Sequence, residues 1–260
     1  MSSTKCAVCW KDGGKLCTTC KSCHYCSKEC QSNDWKSHKL LCEAIVTQPN
    51  RPSPAHVRAI LFPDDKPTPE LVWVPCRPQH ISSEPNIPEY NAVRDLVVTD
   101  SQKDDAVFLR IDYDYRHNES KYPDRLLEIW HRSHHRSDGS TPTTSYYKTV
   151  KPHGKTQLDW RGPLLAFGIA TKDPLGDDDQ RVKRYADAIL ADLRGIVDHA
   201  VCYHRDNDNL IKDMLELSSA GVRVMASSGL IPSVLPRSGK KQDDGRKKGG
   251  KGDDSKRASS

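Results

Sequence analysis

A small zinc-stabilised finger with short helices, followed by an α+β domain and a disordered basic tail, is what this 260-residue sequence predicts. Three observations carry that expectation. Eight Cys and His side chains crowd the first 42 residues at metal-ligand spacing. Short apolar runs of strand length then recur between turns rich in Pro, Asp and Gly. Residues 237–260 hold neither an aromatic residue nor an aliphatic run.

The ligand candidates are Cys6, Cys9, Cys17, Cys20, Cys26, Cys30, His38 and Cys42. They fall into four close pairs: two CxxC turns, then Cys26-xxx-Cys30 and His38-xxx-Cys42. A CxxC turn lets two thiolates hold one tetrahedral ion while backbone N–H groups point at the sulfurs. An i,i+4 pair places both ligands on one face of a helix, so Cys26/Cys30 and His38/Cys42 are predicted as helical pairs. Four pairs suffice for two tetrahedral sites. Cys23 is an extra thiol that forms a competing CxxC with Cys26; using it would leave another ligand unemployed, and it is read as a small free thiol.

The pattern CxxCx7CxxCx5CxxxCQxxxWxxHxxxC, with Tyr25 before Cys26, Gln31 after Cys30 and the Asp34-Trp35 pair, resembles the MYND-type zinc finger over residues 6–42. The resemblance implies a cross-brace pairing, in which Cys6, Cys9, Cys26 and Cys30 hold one zinc and Cys17, Cys20, His38 and Cys42 the other. It also implies that the finger binds proline-containing peptides of partner proteins, with Thr18, Gln31 and Trp35 at the contact positions. Four protein ligands per ion leave no vacancy for water, so both zinc sites are expected to be structural.

A disulfide framework is the main competing reading of so many cysteines. The N-terminal Met-Ser-Ser-Thr-Lys offers no apolar stretch of a secretory signal, so a reducing, intracellular setting in nucleus or cytoplasm is expected. A single-zinc finger with spare cysteines is the other competitor. Residues 1–44 contain few large apolar side chains (Val8, Trp10, Leu16, Trp35, Leu40, Leu41), too few to offset backbone ordering at about 1–2 kcal/mol per residue. Metal binding, worth about 10–16 kcal/mol per structural site, is expected to supply the difference.

Composition bounds the rest. Hydrophobic residues make up 35% and charged residues 29%, which predicts a modest core and substantial irregular chain. No apolar run reaches the roughly 18 residues that a membrane span requires. The net charge of +5 is carried entirely by residues 237–260, where nine Lys and Arg face four Asp. The finger, once seven ligand thiolates and two zinc ions are counted, is close to neutral. DNA binding by the finger is therefore disfavoured, and nucleic-acid contact is left to the tail, whose Lys240-Lys241 and Arg246-Lys247-Lys248 clusters also resemble an import signal.

Residues 43–56 form a Pro-rich linker (Pro49, Pro52, Pro54), expected to act as an extended spacer. In the domain over 57–236, strands of one mixed or antiparallel sheet are expected at Val57–Phe62, Leu71–Val74, Val107–Ile111, Leu126–Trp130 and Leu164–Ile169, with a helix end as the alternative for Leu126–Trp130. An amphipathic helix is predicted from Asp177-Asp178-Asp179 to His199, with Val182, Tyr185, Ala186, Ile189, Leu193, Ile196 and Val197 on its apolar face. A shorter helix is predicted over Asp206–Ser219.

Catalytic sets are weak. His131-Arg132-Ser133-His134-His135 has no completing carboxylate, Cys202-Tyr203-His204 and Cys76 lack a defined partner, and Asp112-Tyr113-Asp114 is read as a solvated strand face. Some MYND-containing proteins carry the finger inside a SET-domain lysine methyltransferase, but the Asn-His-Ser-Cys and Gly-Glu-Glu-Leu type segments are absent; His117-Asn118-Glu119-Ser120 is no match. The expectation is a non-enzymatic adaptor. Its alternatives are a nuclear, nucleic-acid-associated regulator using the tail, or an enzyme with its site in 57–236.

Overall fold

The structure, a computed structural model, describes residues 5–77, 87–98, 105–111, 125–170 and 184–202. The tail at 237–260, the Asp206–Ser219 segment and Asp112–Asp114 lie outside the described residues. Among the described residues, no helix is long and apolar enough to cross a membrane.

The finger comes first. A two-residue strand β1 (Lys15–Leu16) pairs antiparallel with β2 (His24–Tyr25), so that the second CxxC turn, Cys17 to Cys20, lies in the loop that joins them. Helix α1 (Lys28–Cys42) follows, with the Ser27 side chain accepting from the Cys30 N–H at 3.2 Å as its N-cap. Cys26 therefore precedes the helix. The predicted Cys26/Cys30 helical pair is corrected accordingly: the extended Ser27 cap interrupts it, and only His38/Cys42 sit wholly within α1.

The stretch expected as a spacer is not extended throughout. Its first part forms a further helical turn, α2 (Ala44–Thr47), and Pro49 accepts the Trp73 indole N–H at 2.9 Å. The Arg51 guanidinium lies over the Trp73 ring, 5.1 Å from its centre. These contacts fasten Pro49 and Arg51 to Trp73 of the sheet, while Pro49, Pro52 and Pro54 keep their rings exposed.

The sheet is antiparallel in the order β4-β3-β7-β6-β5, built from β3 (His56–Phe62), β4 (Glu70–Pro75), β5 (Ala106–Ile111), β6 (Arg125–Arg132) and β7 (Leu164–Ala170). All five predicted strands are present, and Leu126–Trp130 is strand interior. A short β8 (Arg184–Ala186) pairs with the C-terminal half of β7, beyond the point where β3 leaves it. Period-2 alternation directs each strand's side chains to two faces. On one face Val57, Ala59, Val74, Leu165 and Phe167 pack beneath α3 (Tyr90–Val97), an amphipathic helix whose Val93 and Val97 are buried. On the other, Ile60, Phe62, Leu127, Ile129, Leu164 and Ala166 meet α4 (Thr144–Val150), a helix over 190–202 (α5), and the finger itself. The central strand β7 is buried on both faces, whereas the edge strand β5 leaves Val107 and Phe108 exposed.

The predicted helix over 177–199 is corrected. Residues 184–186 are strand, and the helix begins at residue 190. Contacts on either side of residue 190 set that start. Tyr185 packs edge-on against Phe167 and donates to the buried Glu128, which holds this segment in the sheet. At residue 190, the Leu190 N–H donates to Ser22 Oγ at 3.0 Å, and the Asp192 carboxylate accepts the Ile189 N–H at 2.9 Å. The helix end is thus capped partly by its own Asp192 and partly by a finger side chain.

Finger and sheet share one apolar core. Cys6, Ala7, Val8, Cys17, Cys23, Tyr25, Leu41 and Cys42 belong to the same buried cluster as Ile60, Leu164, Leu193 and Ile196. The few apolar residues of the finger are supplemented by those of the neighbouring sheet.

Candidate metal centre

The two CxxC turns have the same backbone geometry. Trp10 N–H donates to Cys6 O and Lys21 N–H to Cys17 O, both at 3.0 Å. The residue after each second cysteine is left-handed, Trp10 at φ 64° and Lys21 at φ 50°. Bulky residues rarely adopt that conformation, so its repetition marks two equivalent knuckles. Within each, the first sulfur meets backbone N–H groups: burial acts to raise the Cys6 thiol, but N–H groups of Cys26, Cys9 and Val8 bring it down to about 7. At Cys17 burial is likewise outweighed by the N–H groups of Cys20 and Thr19, which lower it.

Folding brings Cys6, Cys9, Cys26 and Cys30 together as one tetrad and Cys17, Cys20, His38 and Cys42 as the other, with ligand atoms in each group within 4.8 Å of one another. The pairing is interleaved along the chain. Sulfurs bound to one tetrahedral zinc at about 2.3 Å lie about 3.8 Å apart, and a sulfur and an imidazole nitrogen about 3.6 Å apart. The observed edges are 3.3 Å for Cys9–Cys26, 3.6 Å for Cys26–Cys30, 3.8 Å for Cys9–Cys30 and 3.9 Å for Cys17–Cys42. Cys20 Sγ and His38 Nε2 are 3.6 Å apart. Both tetrads therefore fit a structural zinc ion each, one all-thiolate and one with three thiolates and an imidazole.

Cys23 stays out of both tetrads, 1% exposed in the shared core, where burial pushes its thiol well up. It does lie near Asp34 and His38. Since His38 turns Nε2 toward Cys20, that third grouping is the outer side of the second tetrad. His38 is lowered by burial, with Asp34 opposing, which suits a neutral imidazole ligand. Asp34 is raised by burial against the pull of Tyr25, Arg194 and His38.

Of the peptide-contact candidates, Thr18 is exposed within the second knuckle, and Gln31 and Trp35 lie one turn apart on α1. Trp35 is 46% exposed and its ring lies 5.7 Å from that of His38. Trp35 thus stands outside the finger's core, in which Leu41 and Tyr25 are buried. Elsewhere, His131 and His135 pack their rings against Trp160. Burial first, then His131 and Arg136, push His135 down to about 4. Cys202 is buried, while Tyr203 and His204 lie outside the described residues.

The MYND finger family model matches residues 6–42, the span of both tetrads. Residues 6–42 are a MYND zinc finger. This MYND finger is similar over 37 residues, at 51% identity, to a zinc finger MYND domain-containing protein 10 homolog of Drosophila melanogaster; the match covers 14% of the chain and 8% of that protein. It is 45% identical over 51 residues to ubiquitin carboxyl-terminal hydrolase 19 of Arabidopsis thaliana, covering 19% of the chain and 8% of the relative. N-lysine methyltransferase SMYD2-A of Danio rerio matches at 44% identity over 43 residues, 16% of the chain and 10% of the relative. The chain thus spans about a tenth or less of these curated relatives, and their enzyme names attach to proteins matched through the finger region alone. No solved structure matches the chain. A MYND finger is a protein-interaction module.

Metal loading should depend on pH with a definite sign. In the absence of metal, burial and then the neighbouring Cys17 and Cys42 push Cys20 up to about 12, and hydrogen bonds from Cys9 and Cys30 push Cys26 up to about 12. Zinc bound near neutral pH must therefore displace protons from these thiols, and affinity falls as protons become more available. Competition against a chromophoric chelator should show weaker zinc retention at pH 6 than at pH 8. Equal retention at both values would contradict thiolate ligation.

Proposed function

We propose that this chain is a non-enzymatic adaptor whose MYND finger docks proline-containing peptides of partner proteins through Thr18, Gln31 and Trp35. The observation that carries the reading is the exposed indole of Trp35 on a helix pinned by metal ligands on either side, Cys30 and His38. A large aromatic side chain left in water on a rigid element is a feature of peptide-binding surfaces. Extended proline-rich segments match it, because they are already ordered before binding and stack on aromatic rings. Gln31, one turn away, is placed by its sequence spacing on the same helix face, where its amide can bond the peptide backbone. The recurrence of the finger in proteins with unrelated names supports a detachable docking role.

The test is Trp35→Ala in the zinc-loaded full-length protein, read by calorimetry against a panel of proline-containing peptides. A central Trp of an interface is worth about 2 kcal/mol or more, so binding should weaken at least about 30-fold. Zinc content and helicity should stay unchanged. Retained peptide binding, or loss of both zinc ions together with binding, would remove the basis for assigning Trp35 to docking.

A further inference from the structure

His38, the single imidazole of the second tetrad, is held from behind by two hydrogen bonds and a final ion pair that reaches outside the finger. Its Nδ1 lies 2.8 Å from the Tyr25 hydroxyl. That hydroxyl donates to Asp34 Oδ2 at 2.6 Å. Asp34 Oδ1 sits 3.6 Å from a guanidinium nitrogen of Arg194 in α5. Tyr25, Asp34, His38 and Arg194 are all buried, Arg194 completely.

Donor and acceptor directions along this chain are mutually consistent with ligation through Nε2. An imidazole that offers the Nε2 lone pair to a metal carries its proton on Nδ1, and that proton faces the Tyr25 oxygen. Tyr25 is left to give its own proton to the carboxylate. Arg194, fixed in turn by Asp198 at 2.8 Å, balances the Asp34 charge where no water reaches it. Groups behind a metal-bound histidine fix its tautomer and ring orientation, and losing one typically costs 10–100-fold in metal affinity.

We propose that Arg194, a residue of the α+β domain, is a positioning residue for the second zinc site and acts through Asp34 and Tyr25 on His38. The neighbouring domain thereby sets how firmly the finger holds one of its two metal ions. Other bonds crossing from the domain land on the same part of the finger: Leu190 N–H on Ser22, His153 on Ser37 at 3.0 Å, and Lys36 on the Pro152 carbonyl at 3.3 Å. This inference is independent of the peptide-docking reading.

Cobalt titration of the full-length protein separates the two sites, because the all-thiolate and the three-thiolate, one-imidazole sets give different ligand-field and charge-transfer bands. In Arg194→Met and in Tyr25→Phe, the dissociation constant of the mixed site should rise about 10–100-fold while that of the all-thiolate site stays within about twofold. The double variant should lose little more than either single one, since both interrupt one chain. Should Arg194→Met fail to fold, Asp34→Asn, which cancels the charge that Arg194 meets without changing shape, takes its place in the cycle. Equal weakening of both sites, or an unchanged mixed site in the folded variants, would overturn the proposal.

Discussion

Removing zinc from the intact protein is expected to unfold the finger and to melt much of the sheet with it. Each structural zinc contributes about 10–16 kcal/mol of apparent folding free energy in isolated fingers, as much as the entire stability of an ordinary domain, about 5–15 kcal/mol. Here the finger is not isolated. Its Leu41, Tyr25 and Cys17 share one buried cluster with Ile60, Leu164 and Ile196, and its Ser22 hydroxyl caps α5. Losing the finger would expose the part of that sheet face it covers and uncap α5, which covers another part of it. Far-UV circular dichroism during chelator titration should show strand and helix signal lost together, and amide exchange should accelerate in β6 and β7. Zinc loss that leaves β7 amides fully protected would show the sheet to be stable by itself.

Asp192→Ala is expected to destabilise the zinc-loaded protein by about 3–5 kcal/mol, the usual cost of breaking a buried ion pair from one side. Asp192 is 1% exposed and accepts both Arg125 Nε at 2.8 Å and a terminal guanidinium nitrogen at 2.5 Å, besides the Ile189 N–H. Arg125 lies directly over Gly168 of β7, where a Cβ would come within 1.9 Å of the guanidinium, so only glycine leaves room for this pair at the sheet centre. A lost helix cap alone costs about 0.5–2 kcal/mol, which makes the two contributions separable. Asp192→Asn keeps acceptor oxygen near the helix start and should cost less. Urea denaturation at saturating zinc measures both, and a loss under 1 kcal/mol for Asp192→Ala would mean that the Arg125 fork is satisfied without this carboxylate.

Much of the fold was legible because period and spacing are local properties. The five apolar runs became strands, since their strand-like length and the Pro, Asp and Gly turns between many of them are local signals that need no knowledge of the neighbours. The α3 helix was missed although Tyr90, Val93, Leu96 and Val97 carry helical spacing, a signal that could have been read. Misplacing the later helix has a different cause. Tyr185 and Ala186 fit an amphipathic pattern as well as they fit a strand, and the free C-terminal half of β7 claimed them. The helix start was then fixed by Ser22, a residue far upstream that no local pattern could have indicated.

The sequence by itself determined the metal chemistry of this protein: eight ligands in four pairs, short loops between them and too little apolar surface for any other way of ordering the segment. Those are properties of reach and ligand type, written into residues a few positions apart. Tertiary structure alone decided that the finger is no appendage, that Trp35 faces water while Leu41 faces inward, and that Arg194 stands behind His38. Each of those depends on which surfaces meet across long sequence distances, where burial makes an unmatched charge or hydroxyl costly and so selects the partner.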